Sequence, residues 1–301
     1  MDKAQTWYHR TFSKLSTVWK FSSFLKGERE HLKNKTRDNA LFLSVAAQWN
    51  NKQLTTVYEW FKDELRIVPP KEHLRPVTAE MLLDTEKEED VGKELYEFVM
   101  AALQKADLGI HGVNVKKLKF DGNTIKFPKD MPNEIREKVL KRLEKEPPLK
   151  VEMFHFNTIT NEDVSFPLQE ESDGTQRFFQ LLGPWLEAVA NGYTVFIDEL
   201  EASLHPLLTH ELIKFIQNSE NNKSGAQLIF AAHDTTLLDP ELFRRDQIWF
   251  TDKDKGGSTI LYSMSDYKER KPRKGEAMQK GYLAGRYGAI PILEAFSIPN
   301  G

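Results

Sequence analysis

A short apolar run that stops on two carboxylates constrains this chain more than any other feature. Tyr193 to Ile197 follow Gly192 and end at Asp198-Glu199. Such a run, opened by glycine and closed by acids, reads as a buried parallel strand. Two carboxylates at the mouth of a buried strand are costly unless something there needs them. A magnesium–nucleotide site is one such need, with one carboxylate on the hydrated metal and the next polarising a water. The alternative is a strand that ends in solvent, with an acid capping the following helix.

The surroundings supply the rest of the pattern. Thr175 to Ala190 reads as a helix, and Leu207 to Asn218 as the helix after the strand. Gln227 to Ala231 forms a second buried strand leading into His233-Asp234, and Gln247 to Thr251 a third, followed by Ser258 to Ser263. Strand, helix, strand, helix, strand is the signature of a parallel α/β sheet.

Upstream, Trp7, Tyr8, Phe12, Trp19, Phe21 and Phe24 alternate with basic residues and suggest short strands turning at Gly27. Such a stretch either stacks bases or packs on a neighbouring layer. Thr36 to Asn50 reads as a helix capped by Thr36 or Asp38, with Leu41, Val45 and Trp49 on one face. Gln53 to Leu65 continues helically until Pro69-Pro70. Helices are expected at Thr78-Ala-Glu-Met, at Glu88 to Ala106 and at Pro132 to Glu146. A hairpin is expected over Val113 to Phe127, turning at Asp121-Gly122-Asn123. Pro147-Pro148 marks a boundary. Leu149 to Phe156 and Val164 to Leu168 read as paired strands.

With 40% hydrophobic residues and a formal net charge of −3, this is the composition of an ordinary globular protein, not of a generic polyanion binder. The absence of cysteine excludes disulfides and thiolate metal sites. No apolar run is long enough for a membrane span, and no secretory signal is visible, so a cytoplasmic location is expected.

Three pieces lie in order around the opening strand. Ser172-Asp-Gly-Thr-Gln176 precedes a helix, where a hydroxyl and a glycine make either an anion site or a plain capped turn. Asp198-Glu199 closes the strand. His233 ends the next strand, where it either hydrogen-bonds a terminal phosphate or sits satisfied in a strand–loop corner.

Together these pieces resemble the C-terminal half of an ABC-type ATPase head, in which a signature loop, a Walker B strand, a D-loop and a switch histidine follow one another. Ser172 and Gly174 match the signature, Val195 to Glu199 Walker B, Ser203 to Pro206 the D-loop, and His233 the switch. The phrases IDELEASLHP, FAAHDTTLLDP and GRYGAIP, with TRDNALFLSVAAQWN upstream, resemble the ABC-type AAA-family ATPases of prokaryotic abortive-infection and anti-phage systems. The likeness is strongest from Ser172 to Asp239 and weakest over residues 66–148. Two features depart from it. Glu170, Glu171 and Asp173 stand where the wider family has Leu and Gly, and no G-x-x-x-x-G-K-S/T occurs in the sequence.

The resemblance implies an α/β fold: an incomplete ABC-type P-loop ATPase head with an inserted, mainly helical subdomain. Residues 1–65 would be the remainder of an N-terminal ATPase lobe, 66–148 the insertion, and 149–301 the C-terminal lobe. It implies ATP and Mg²⁺ as ligands: Asp198 for the metal, Glu199 and His233 for catalysis, and Ser172, Gly174, Gln176 and Ser203 for nucleotide held between two heads. A homo-oligomer through the heads and a separate effector, a nuclease or a toxin, are expected. So is little ATP turnover by this chain alone, since the lobe with the phosphate-binding loop is expected elsewhere. A non-hydrolysing sensor or scaffold subunit is the alternative. The basic stretch 268–280 (KERKPRKGEAMQK) reads either as a nucleic-acid contact or as a solvated loop.

Overall fold

The computed structural model describes residues 5–12, 17–69, 76–84, 89–118, 127–128, 130–267 and 278–291. The chain opens with the antiparallel strands β1 (Tyr8–Phe12) and β2 (Thr17–Phe21), then α1 (Arg29–Lys35), α2 (Phe42–Gln48) and α3 (Lys52–Glu59). The aromatic–basic segment packs internally. Tyr8 and Trp19 set their rings 4.7 and 5.1 Å from Phe42. The Arg10 guanidinium lies 4.4 Å from the Phe12 ring and 4.6 Å from the Trp19 ring while it donates to the Ala40 carbonyl at 2.7 Å.

The face expected of the 36–50 helix is corrected here. Phe42 and Ala46 are its buried residues, whereas Leu41 and Trp49 are exposed, and Leu41 occupies the N-cap without a side-chain bond. The rings of β1 and β2 lie over Phe42, so their contact selects that stripe of the helix. The helical reading of 53–65 also ends early. A π-helical turn, Trp60–Glu64, leads into a strand, β3 (Leu65–Val68).

The chain then forms α4 (Val77–Asp84), α5 (Glu89–Lys105), β4 (Ile110–Lys117), α6 (Asn133–Lys145), β5 (Leu149–Asn157) and β6 (Glu162–Pro167). β4, β5 and β6 make an antiparallel sheet in that order. The hairpin expected over 113–127 is therefore replaced, in its described part, by pairing of Val113 with Met153 and Val115 with Val151. The turn at 121–123 lies outside the described residues.

The remaining elements are α7 (Asp173–Asn191), β7 (Thr194–Ile197), α8 (Pro206–Gln217), β8 (Gln227–Phe230), β9 (Trp249–Lys253), β10 (Thr259–Ser263) and α9 (Met278–Leu283). The parallel sheet has the order β3–β7–β8, with β7 central. Its third strand is thus Leu65–Val68, not the 247–251 segment. Trp249–Lys253 instead pairs antiparallel with β10 in a sheet of two. One face of the parallel sheet carries Val68, Val195 and Ile197 into a core shared with α4, α5, α7 and α8. That core draws on both sides of residues 148/149, while Leu25, Leu32, Phe42, Ala46 and Leu54 form a separate cluster. The other face carries the row Ile67, Phe196 and Ile229, which are 68%, 39% and 48% exposed, so the described residues cover the central strand on one side. Among the described residues no helix is long and apolar enough to cross a membrane.

α7 sets the position of everything that follows. It is capped at one end by Ser172 and stopped at the other by Gly192, whose φ of 75° suits glycine. Its interior holds Pro184, which cannot donate to the Gln180 carbonyl. Thr78 of α4 is spliced into the helix at that point. The Gly183 N–H donates to the Thr78 Oγ1 at 2.8 Å, and the hydroxyl donates to the Phe179 carbonyl at 2.7 Å. Thr78→Val keeps the shape but strands both buried groups. Stability should fall by about 2 kcal/mol, read as a lower denaturant midpoint, and an unchanged midpoint would show that the hydroxyl bridge contributes nothing.

Candidate functional site

The carboxyl ends of β7 and β8 lie side by side, where open α/β sheets receive ligands. β7 runs out at Ile197. The Leu200 N–H then donates to the Ala231 carbonyl at 3.2 Å, and the Ala231 N–H to the Ile197 carbonyl at 3.0 Å, so the two strand ends stay stitched beyond the sheet. Asp198 and Glu199 emerge at this rim, both exposed. Asp198 makes no hydrogen bond or ion pair to a described residue. Glu199 Oε1 lies 3.9 Å from His233 Nε2, contact distance rather than a hydrogen bond, with the two side chains 61% and 87% exposed.

The backbone between them is unusual. Glu199 and Ser203 have φ of 49° and 64°, a left-handed conformation outside glycine. Each costs about 1–2 kcal/mol, and such residues persist where surrounding structure over-determines them, often at functional sites. Leu200 and Leu204 are buried on the inner side of this segment and anchor it.

The N-terminus of α7 meets the same segment. Ser172 Oγ accepts from the Thr175 N–H at 3.1 Å and shares a hydrogen bond with the Thr175 hydroxyl at 2.8 Å. A side chain at Gly174 would bring its Cβ within 2.8 Å of the Ser203 carbonyl oxygen, so the two backbones touch and only glycine fits. The sequence-predicted residues fall into two contacts, Ser172–Gly174 with Ser203 and Glu199 with His233, joined by the five residues from Glu199 to Ser203. Gln176 turns away: its Nε2 donates to the Glu171 carbonyl at 2.7 Å and so braces its own loop.

Three residues escaped sequence reading. Glu201 Oε1 accepts from the N–H of His233 at 2.5 Å and of Asp234 at 3.2 Å. His155 Nε2 lies 2.7 Å from Glu171 Oε1, which ties the loop before α7 to the antiparallel sheet. Arg177 is buried with Nε and Nη1 lacking partners among the described residues, and burial pushes its guanidinium below the usual arginine range. The only signal for Glu201 was a third acid following Asp198 and Glu199. His155 and Arg177 gave none. Of the basic stretch 268–280, residues 268–277 lie outside the described residues.

A parallel sheet flanked by helices, with acids at the carboxyl end of its central strand, defines an α/β fold of the P-loop ATPase kind. The chain belongs to the family described as "AAA domain, putative AbiEii toxin, Type IV TA system", whose model matches residues 83–239, just over half of the sequence. That makes it an AAA-family ATPase domain linked to abortive infection and toxin–antitoxin systems. Comparison with curated proteins gives no match.

Proposed function

We propose that the chain is an ABC-type ATPase subunit of a prokaryotic anti-phage, abortive-infection system, with ATP held between two heads and used to control an effector on another chain. The observation that carries this reading is the meeting of the α7 N-terminus, the Glu199–Ser203 segment and the His233 loop at one rim of the parallel sheet. Asp198 is exposed and uncommitted, which suits a magnesium ion bound through one carboxylate, with waters and phosphates filling its shell. Magnesium supplies charge neutralisation at the phosphates. Glu199 orients the attacking water and draws its proton. His233 hydrogen-bonds the terminal phosphate. Ser172 and the Gly174 N–H, at a helix N-terminus, are offered to nucleotide on a second head. Ser203, pressed against Gly174, couples the two contacts.

No G-x-x-x-x-G-K-S/T motif occurs in the 301 residues, so in this reading the lysine and hydroxyl that grip the phosphates come from outside them. The same observation favours a second reading, a non-hydrolysing sensor or scaffold subunit. One experiment separates the two. In the assembled ATPase, Asp198→Asn should raise the magnesium concentration for half-maximal turnover by about 10-fold or more. An unchanged requirement removes Asp198 from the metal site, and no turnover in the unsubstituted assembly favours the scaffold.

A further inference from the structure

We propose that Glu201 is the positioning residue for His233, holding the loop that carries the imidazole to the segment that carries Glu199. His233 gains no fixed place from its own side chain, which is largely exposed and, among the described residues, reaches only Glu199 at 3.9 Å. Its position is therefore set by its backbone. Beyond Ala231 that backbone has left the sheet, and the next restraints are the two N–H groups taken by Glu201 Oε1. Two consecutive N–H groups converging on one carboxylate oxygen form charge-assisted bonds, stronger than neutral ones. The far side of the loop is held by the Gln279 amide, which donates to Thr235 Oγ1 at 3.1 Å.

Glu201 is itself firmly placed. It lies midway between the two left-handed residues, Glu199 and Ser203, and its second oxygen is buried without a hydrogen-bond partner among the described residues, so the two loop N–H groups are what satisfies its carboxylate. Ser203 in turn carries Gly174 on its carbonyl. A displacement of the α7 N-terminus therefore reaches His233 through Ser203 and Glu201, across a short and strained segment. In the proposed function this links the surface offered to the second head with the phosphate contact of the first. That consequence rests on the proposed role of His233, whereas the hold of Glu201 on the loop does not.

The test pairs hydrogen exchange with turnover. In Glu201→Ala the amides of His233 and Asp234 should exchange at least about 10-fold faster, with the amides of Leu228–Phe230 unchanged as a control on the fold. ATP turnover of the assembly should fall about 10- to 100-fold, as when an outer-shell partner is removed, at unchanged KM. Glu201→Gln keeps the acceptor oxygen and should restore both to within a few-fold of the original. In a His233→Ala background Glu201→Ala should cost no further turnover. Unchanged exchange at His233 and Asp234 overturns the proposal, as does a full additional loss in the double variant. If the assembly turns over no ATP, the proposed function fails, and the exchange measurement still decides whether Glu201 holds the loop.

Discussion

Glu199→Gln is expected to lower ATP turnover of the assembled enzyme by about 10²- to 10³-fold, the scale of a lost general base, while ATP still binds and holds two heads together. The substitution keeps size and shape and removes the charge that draws a proton from water. Its effect on folding should be within about 0.5 kcal/mol, as for other exposed positions, because Glu199 is 61% exposed and the His233 imidazole lies 3.9 Å away, beyond hydrogen-bond reach. The two readouts therefore separate. Steady-state hydrolysis should collapse, thermal unfolding should not move, and a nucleotide-bound dimer should accumulate on size exclusion with ATP and magnesium. Hydrolysis at the original rate would remove Glu199 from the chemistry.

The second large effect concerns stability, and its sign is diagnostic. Gly183 lies inside α7, where replacing glycine by alanine ordinarily stabilises by up to about 1 kcal/mol. Here a Cβ would lie 2.5 Å from the Thr78 backbone nitrogen and 2.8 Å from its Cα, atoms that cannot rotate aside. Gly183→Ala must push α4 off α7 and break the Thr78 hydroxyl bridge beside Pro184. Overpacking and the stranded groups together should outweigh the helical gain and leave a net loss of about 3 kcal/mol. Denaturant unfolding should show a lower midpoint at the same slope. A rise in stability would mean that the two helices do not approach as closely as described.

Where the sequence was legible, local signals and tertiary contacts agreed. α7 has a serine cap, a long apolar stripe and a terminal glycine, and it folds between those marks. β7 lies where the apolar run put it, and α8 begins and ends one residue before the expected Leu207 to Asn218. Disagreement arose where two local readings were equally good and a distant partner chose. Leu41, Val45 and Trp49 are as well spaced as Phe42 and Ala46, and the rings of β1 and β2 decided for the latter. Leu65–Val68 is too short to show a period, and helical residues precede it. Trp249–Lys253 has the composition of a central strand but closes on its own neighbour. At the candidate site the residues with a motif were visible. Glu201 was not, because its two partners lie more than thirty residues along the chain and nothing in its own surroundings marks it as an acceptor.

The pairing of β3 with β7 has a consequence for how the molecule is made. Leu65 sits opposite Thr194, about 130 residues later in the chain. As the polypeptide leaves the ribosome, the lobe built on Leu25, Leu32, Phe42, Ala46 and Leu54 has all its parts early. The apolar strand that follows has no partner until β7 is synthesised. At 5–20 residues per second that wait is on the order of ten seconds, far longer than a hairpin needs to form. Nascent chains of this protein should therefore depend on chaperone cover between those two strands, and slowed translation past residue 70 should increase their aggregation.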